Sequence, residues 1–422
     1  MPEVKMRGFK STITVEEAKQ RFFSAISFKK PAVEPVPALE ALGRVLGEDV
    51  KSQVDVPPFN KSAVDGYAVH AEDTFGASST NPSVLTLISE IDVGNKPDFE
   101  VKRGEAAKIA TGAALPKDAD AVVMLEYTKI IDSHRIEIWT PVTPGENVTR
   151  KGEDVNVGEI VLKKGLRIRP QDVGILTMLG KTSVNVVKKP KVALLSTGDE
   201  LVETVEEARE ERTVDINRPI LLSMIREAGG RGIDRGIVKD RIEDIRRKMK
   251  ETLAETDVVV LTGGTSVGVK DLVPEVVNSI GKPGMLVHGI SMRPGMPTGL
   301  GVVNRKPVIL LPGNPVAAMI AFEVFAKPLI SRLMQAQEEL TPKIRGRLTR
   351  RIASVQGFRT FNRVQVRRSR GQLLVGPIRL TGSGILTSMT KANGMLVIPE
   401  DVEGYEAGEE VEVSLLRPVE EG

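Results

Sequence analysis

The chain has 422 residues, of which 41% are hydrophobic, a proportion ordinary for globular proteins and sufficient for several domains. Its 59 basic and 56 acidic residues leave a formal charge of +3, without the basic excess typical of nucleic-acid-binding proteins. The lack of cysteine excludes disulfides, zinc–thiolate sites, iron–sulfur clusters and cysteine nucleophiles. The chain has only three histidines, which argues against a multi-histidine metal site. From this charge balance we expect no nucleic-acid partner. Because the sequence has no long apolar run and no apolar signal core, we expect no membrane span and a cytoplasmic location.

The first predicted element is a helix over 14–28. Thr14 and Glu17 form a capping box before it. Apolar residues recur at helical spacing, namely Val15, Ala18, Phe22 and Ile26. A second, shorter helix is predicted over 39–46, ending at Gly47. The sequence therefore predicts a helical start to the chain.

Residues 53–145 have a different character. They are rich in proline, glycine and aspartate, and short runs such as 84–88 and 135–139 alternate between apolar and polar residues. This pattern is typical of β-strands, and we predict a β-rich unit. Residues 146–186 contain many glycines and one predicted helix, 170–179, closed by Gly180.

Strands and helices alternate over residues 190–335. Helices are predicted near 218–228 and 241–255, and a long helix opens at Asn314 and Pro315, with Pro328 expected to kink it. This alternation predicts a mostly parallel sheet. Residues 341–418 consist of short strands separated by turn glycines, a pattern that favours a small β-barrel or sandwich.

Three strands in the alternating segment run into loops of similar composition. The strand before Thr262-Gly263-Gly264-Thr265-Ser266 is the first, and Asp271 follows it. The other two strands enter Ser196-Thr197-Gly198-Asp199-Glu200 and Pro312-Gly313-Asn314-Pro315. Since open α/β sheets bind ligands at the carboxyl ends of their strands, these loops predict one shared crevice that favours anions. A carboxylate there, such as that of Asp271, can meet a divalent cation beside phosphate.

An ordered set of motifs resembles the MoeA / gephyrin E-domain family, the molybdopterin molybdenumtransferases. The matching residues are 55–68, 109–116, 150–154, 196–201, 215–217, 236–240, 262–268, 311–315 and 382–384. The resemblance covers nearly the whole chain. It implies that adenylylated molybdopterin meets molybdate or tungstate with Mg²⁺, that AMP leaves, and that the metal enters the dithiolene.

The resemblance also implies a multidomain α/β and β fold and a homodimer. The expected domains are a discontinuous linker and dimerisation domain (1–52 and 146–186), a β-rich insert (53–145), a mostly parallel α/β molybdopterin-binding domain (187–337) and a C-terminal β-barrel (338–422). The family's site lies between the α/β domain of one subunit and the insert of the other. The molybdopterin adenylyltransferase is a further candidate partner.

Site residues follow from the matching positions. The resemblance assigns catalytic roles to Asp65, Thr111, Glu200, Asp240, Asp271 and Arg293, with Glu200, Asp240 and Asp271 also expected to bind Mg²⁺. It assigns substrate binding to Thr197, Gly198, Asp199, Thr262, Gly263, Gly264, Ser266, Pro312, Gly313, Asn314, Arg363 and Ser383.

Each polar candidate also has a purely structural interpretation. Asp240 and Asp271 suit helix caps, and Asp240 with Glu243 matches a capping box. Asp65-Gly66 suits a turn between strands, Glu200 a solvated loop, and Arg293 an exposed surface. The chain also departs from many bacterial family members at Met296, where they carry a second lysine, so the details of anion binding are open.

Two other functions remain as alternatives. One is a non-catalytic scaffold that binds peptides, as the gephyrin E domain does. The other is molybdopterin adenylylation, although the family with that activity resembles residues 190–335 alone. The sequence does not distinguish molybdate from tungstate.

Overall fold

The computed structural model describes residues 12–209, 211–263, 272–378 and 382–421. Its α-helices are α1 (Val15–Ser24), α2 (Pro170–Met178), α3 (Asn217–Glu227), α4 (Ile242–Glu255), α5 (Leu272–Ile280), α6 (Pro315–Ala321), α7 (Lys327–Leu333) and α8 (Thr387–Lys391). Short 3₁₀ helices cover Ala38–Glu40, Ala71–Thr74 and Leu125–Tyr127, and a π-helical turn covers Phe322–Ala326. Within the described ranges, no helix has the length and apolarity needed to span a membrane.

The strands of the first half are β1 (Val33–Pro37), β2 (Val50–Lys51), β3 (Lys61–Ser62), β4 (Gly66–Val69), β5 (Ser83–Ile91), β6 (Glu105–Ile109), β7 (Ala121–Met124), β8 (Thr128–Asp132), β9 (Arg135–Ile138), β10 (Val148–Thr149), β11 (Ile160–Leu162) and β12 (Ser183–Val187).

Those of the second half are β13 (Lys191–Thr197), β14 (Leu201–Val202), β15 (Thr213–Val214), β16 (Arg231–Val238), β17 (Val258–Thr262), β18 (Pro283–His288), β19 (Met292–Arg293), β20 (Gly299–Val303), β21 (Lys306–Leu311), β22 (Lys343–Leu348), β23 (Ile352–Ala353), β24 (Arg359–Ser369), β25 (Gln372–Pro377), β26 (Gly394–Ile398), β27 (Gly404–Tyr405), β28 (Glu410–Leu415) and β29 (Glu420–Glu421).

The chain divides into two compact units. The smaller unit comprises 36–42 and 48–184, and its main sheet has the order β7-β4-β6-β5-β9-β8. All of its neighbouring strands are antiparallel except β5 and β6, which are parallel. The prediction of a β-rich segment at 53–145 is therefore confirmed.

The larger unit comprises 1–35, 43–47 and 185–422 and contains a six-stranded sheet of order β16-β13-β17-β21-β20-β18. The pairings from β16 to β21 are all parallel, and only β20 runs against the rest. Strands β13 and β17 are almost wholly buried, as expected for apolar strands covered by helices on both faces. This is the predicted, mostly parallel α/β domain.

A closed five-stranded barrel follows in the same unit. Its strands pair in the order β24-β25-β22-β28-β26, and β26 pairs with β24 to close it. Val364, Val366, Val375 and Val413 fill the interior and are fully buried. Of the two architectures that the turn glycines allowed, the chain adopts the barrel.

Three helix predictions differ from the structure. Helix α1 ends at Ser24, four residues before the predicted end at 28. The helix predicted over 39–46 is wrong, because only a 3₁₀ turn forms and Gly43 adopts a φ of +73°, which ends helical geometry. The long helix opening at Pro315 does form, but a π-helical turn interrupts it just before Pro328. Proline lacks the N–H that an α-helix requires there, which accounts for irregular geometry at this point.

Candidate functional site

The three strands that lead into the predicted crevice end at one edge of the parallel sheet. Strands β13, β17 and β21 run side by side, with Ser196 opposite Thr262 and Thr262 opposite Leu311. Their carboxyl ends therefore meet, as the sequence predicted. Thr197 and Thr262, which end β13 and β17, are both buried. This edge is where open α/β sheets bind ligands.

Gly263 brings the first two loops into close contact. Its φ is +91°, and a Cβ placed on it would lie 2.2 Å from the carbonyl oxygen of Thr197. Its backbone N–H donates to the carbonyl of Leu311 at 3.3 Å. Only a residue without a side chain permits this approach without displacing backbone. The carboxyl ends of β13, β17 and β21 are thus held together through Gly263.

Asn217, the first residue of α3, joins the same loops from one side. Its Nδ2 donates to Oγ1 of Thr262 at 3.0 Å and to the carbonyl of Gly313 at 2.6 Å. The Thr262 hydroxyl in turn donates to the carbonyl of Pro312 at 3.2 Å. Asn217 is buried, and its Oδ1 has no hydrogen-bond partner among the described residues. The sequence placed Asn217 in a matching motif but assigned it no site role.

Carboxylates collect where β13 and β16 end. The Thr197 hydroxyl donates to Oδ1 of Asp240, and the Asp240 backbone N–H donates to Oδ1 of Asp199 at 3.3 Å. The Glu200 carboxylate lies against Gly198, since a Cβ on that glycine would be 2.8 Å from Oε1. Asp199 and Glu200 are exposed.

The capping-box prediction for Asp240 is wrong. Arg241 occupies the N-cap of α4 without a side-chain bond, and Glu243 pairs with Arg246 instead. Asp240 faces Thr197, which lies 43 residues away in sequence. Its carboxylate therefore contacts the carboxyl end of β13 and does not cap α4. Within the described part of the chain, however, no group of three acidic or histidine side chains is arranged to hold a metal.

Residues of the C-terminal region reach the third loop. The Val316 N–H, in the first turn of α6, donates to the carbonyl of Ser383 at 3.2 Å. A Cβ on Gly384 would lie 3.7 Å from Oδ1 of Asn314. Asn314 is the N-cap of α6, as predicted, although its side chain makes no capping bond. Ser383 and Asn314, which were predicted separately as substrate-binding residues, thus lie near each other.

Arg363 is a buried cation. It is 3% exposed, and its Nε donates to Oγ of Ser388 at 3.3 Å. Burial lowers the pKa of its guanidinium, and no carboxylate among the described residues forms an ion pair with it. A buried positive charge without a countercharge is unfavourable on its own and favours an anion nearby.

Asp65 and Thr111 form a contact within the smaller unit. The Thr111 N–H donates to Oδ1 of Asp65 at 2.7 Å. This hydrogen bond lowers the pKa of the Asp65 carboxyl below its ordinary value of 3.8. Asp65 does not serve only as a turn residue, because its side chain orders the Thr111 loop while remaining accessible to solvent.

Arg293 has a structural partner. Its guanidinium lies over the Phe358 ring, 4.7 Å from the centroid. Strand β18 runs parallel to β13, so the segment after it, which includes Arg293, leaves from the same edge of the sheet as the crevice. It does so at the far side, three strand positions from β17. Gly264, Ser266 and Asp271 lie outside the described residues.

Comparisons with known proteins cover nearly the whole chain. Family models match at 13–180 ("MoeA N-terminal region (domain I and II)"), 193–332 ("Probable molybdopterin binding domain") and 345–416 ("MoeA C-terminal region (domain IV)"). A Methanocaldococcus jannaschii protein named for molybdopterin biosynthesis is 40% identical over 98% of this chain and all of its own. A molybdopterin molybdenumtransferase of Staphylococcus aureus is 32% identical over 96% of each chain. The crystal structure of a MoeA protein from Pyrococcus horikoshii has a TM-score of 0.85 and 36% identity, covering 96% of this chain and all of that one.

Proposed function

Since this chain belongs to the MoeA family, we propose that it is a molybdopterin molybdenumtransferase acting in molybdenum cofactor biosynthesis. It takes adenylylated molybdopterin and an oxyanion, molybdate or tungstate, cleaves the phosphoanhydride to release AMP, and leaves the metal on the dithiolene. The observation that carries the proposal is the set of contacts by which Gly263 and Asn217 hold the carboxyl ends of three parallel strands together.

The crevice suits an anionic substrate for physical reasons. Loops at strand carboxyl ends present backbone N–H groups, and the amino end of α6 adds the positive end of a helix dipole. Gly313 is exposed and lacks a side chain, so its backbone is accessible to a phosphate. We assign Thr197, Thr262 and Asn314 to substrate binding at this edge, with Asn217 as the residue that positions their loops.

The carboxylates are the donor type that Mg²⁺ prefers. We propose that Glu200 and Asp240, together with Asp271, hold the cation. The fit is supported by Asp240, whose carboxylate contacts the carboxyl end of β13 through the Thr197 hydroxyl. When bound, Mg²⁺ would neutralise phosphate charge during anhydride cleavage.

Arg363 and Ser383 are our candidates for oxyanion binding. Arg363 supplies a buried positive charge that has no carboxylate partner among the described residues, and Ser383 contacts the first turn of α6. Guanidinium groups bind oxyanions through paired N–H donors, and such bonds strengthen when water is excluded. Arg293 has a weaker case, because its contact with Phe358 already accounts for its position.

We retain the domain division expected from the sequence, and the gaps between the family-model regions, at 181–192 and 333–344, support its two later boundaries. We also propose that the chain acts as a homodimer in which Asp65 and Thr111 complete catalysis in trans. Mixing Asp65→Ala with Asp240→Ala subunits under conditions of exchange should then restore part of the activity that each variant lacks alone. Mixed dimers that remain inactive after confirmed exchange would remove this part of the proposal.

The central test is AMP release from adenylylated molybdopterin in the presence of Mg²⁺, with and without molybdate. The proposal requires AMP release that depends on the oxyanion and that falls in Thr197→Val, with the exposed Thr390→Val as matched control. ATP consumption with free molybdopterin would instead identify an adenylyltransferase. A folded protein inert in both assays would support the scaffold alternative.

A further inference from the structure

A cavity of about 600 Å³ opens at the opposite edge of the α/β sheet from the crevice. Its lining includes Lys191 and Lys306, which begin β13 and β21, and Asp257, which precedes β17. In a parallel sheet the amino and carboxyl ends of the strands are separated by the strand length. The cavity is therefore a separate site, and its properties do not depend on the function proposed for the crevice.

Three copies of one short sequence converge on this cavity. They are Lys29-Lys30-Pro31, Lys188-Lys189-Pro190 and Arg305-Lys306-Pro307, and all nine residues contribute to the lining. The first two copies are joined by a hydrogen bond from the Lys188 N–H to the carbonyl of Ala32 at 2.9 Å. The three segments are distant in sequence, and each consists of two basic residues followed by proline.

Proline explains how the cations are presented. Its steric effect favours extended backbone at the residue before it, which is Lys30, Lys189 or Lys306, whereas Arg305 lies in a turn with a φ of +72°. Pro190 and Pro307 are buried, whereas Lys188, Lys189 and Arg305 are exposed. Pro190 and Pro307 thus anchor two of the segments in the protein, while the exposed Lys188, Lys189 and Arg305 remain accessible to a ligand.

The lining is strongly and unevenly charged. Among the described residues, seven of the sixteen that line the cavity are lysine or arginine, and only Asp257 is acidic. The Asp257 carboxylate accepts the backbone N–H of Lys191 at 2.7 Å, so it is committed to the strand start. Lys306 donates to the carbonyl of Leu253. Like charges gathered in a concave surface raise the local potential and attract polyvalent anions.

The cavity also has an apolar side and a suitable size. Ile26 and Leu333 contribute apolar surface, and about 600 Å³ lies within the usual range for small-molecule sites. We propose that this cavity binds a nucleoside triphosphate, with the triphosphate on the basic pairs and the nucleoside against Ile26 and Leu333. Two adjacent cations can balance more of the phosphate charge than a single lysine can.

Calorimetric titration of the full-length protein with ATP, tripolyphosphate and adenosine at physiological salt tests the proposal. We expect saturable ATP binding, competition by tripolyphosphate, and much weaker binding of adenosine. In Lys188→Glu/Lys189→Glu, ATP affinity at this site should fall at least about tenfold, which corresponds to ~1.4 kcal/mol. Lys96→Glu/Lys129→Glu is the matched control, because it makes the same change in net charge at exposed lysines elsewhere.

Thr197→Val separates this site from the crevice. If ATP also enters the crevice, the wild type shows two sites per chain, and the lysine variant loses only the cavity site. Absence of ATP binding, or binding unaffected by the lysine reversal but lost in Thr197→Val, would overturn the proposal. Binding of polyglutamate without binding of ATP would assign the cavity to an acidic polypeptide and overturn it equally.

Discussion

Replacing Gly263 by alanine should damage both the stability of the crevice and its function. The alanine Cβ would lie 2.2 Å from the Thr197 carbonyl oxygen, whereas real contacts of this kind stay above 3.0 Å. The Thr197 oxygen is a backbone atom and the position of a Cβ is fixed by its own backbone, so no side-chain rotation relieves the overlap. Strands β13 and β17 would have to separate by about 1 Å at their carboxyl ends, a strain of about 1–3 kcal/mol. The φ of +91° adds about 1–2 kcal/mol for any residue with a Cβ.

Gly43→Ala is the matched control for backbone strain. Gly43 also has a positive φ, +73°, but no atom lies within 4 Å of the added Cβ. It should therefore incur only the backbone cost of about 1–2 kcal/mol. The difference between the two variants measures the close approach of Gly263 to Thr197, separately from the loss of glycine itself.

Hydrogen exchange is the appropriate assay, because a chain with several domains does not unfold in one transition. Peptides covering β13 and β17 should exchange faster in Gly263→Ala than in Gly43→Ala. AMP release should fall by about 100-fold, since a displacement of 1 Å at a catalytic site has effects of that order. Equal exchange and unchanged AMP release in both variants would refute the reasoning that this contact organises the crevice.

Three further predictions follow from side chains at the proposed site. The folded-state pKa of Asp65 is lowered, so its hydrogen bond to Thr111 stabilises the smaller unit above the unfolded pKa and is lost as pH falls through the folded one; thermal midpoints measured below about pH 4 should decline less in Asp65→Asn than in the wild type. Arg363→Met should raise the molybdate concentration for half-maximal AMP release at least about tenfold, unlike the exposed Arg368→Met, and unchanged titrations would remove Arg363 from the oxyanion site. Arg293→Ala should lower the free energy of unfolding by about 0.5–1 kcal/mol, because the cation–aromatic contact is lost. A shifted oxyanion titration without this destabilisation would instead identify Arg293 as an anion ligand.

The sequence predicted the crevice because strand-to-loop junctions are local patterns. Apolar runs that end in glycine and hydroxyl residues identified the ends of β13, β17 and β21, and the alternation of strands with helices implied that these ends share an edge. Asp240 was ambiguous because a capping box is also local, whereas its contact with Thr197 depends on the register of β13 and β16.

The contacts of Asn217 lay beyond sequence reasoning for a related reason. Asparagine at a helix start is usually satisfied by the helix itself, and nothing nearby in sequence marks its bonds to Thr262 and Gly313.

The three basic pairs followed by proline can be read from the sequence, but their convergence depends on the positions of three chain segments in the folded sheet. Gly43 ended a predicted helix because one positive φ outweighs several residues of favourable periodicity.

The π-helical turn between α6 and α7 fixes the rotational phase of the end of that long helix. Each residue turns an α-helix by about 100°, so the wider turn at Phe322–Ala326 changes which side chains of α7 face inward. With this phase, Phe325, Leu329 and Ile330 are all fully buried. If the five residues Phe322–Ala326 formed a regular α-helix instead, α7 would rotate by nearly 100° about its axis, and Leu329 and Ile330 would move out of the core. The irregular turn is therefore the element that keeps two differently phased apolar faces on one side of a single helix.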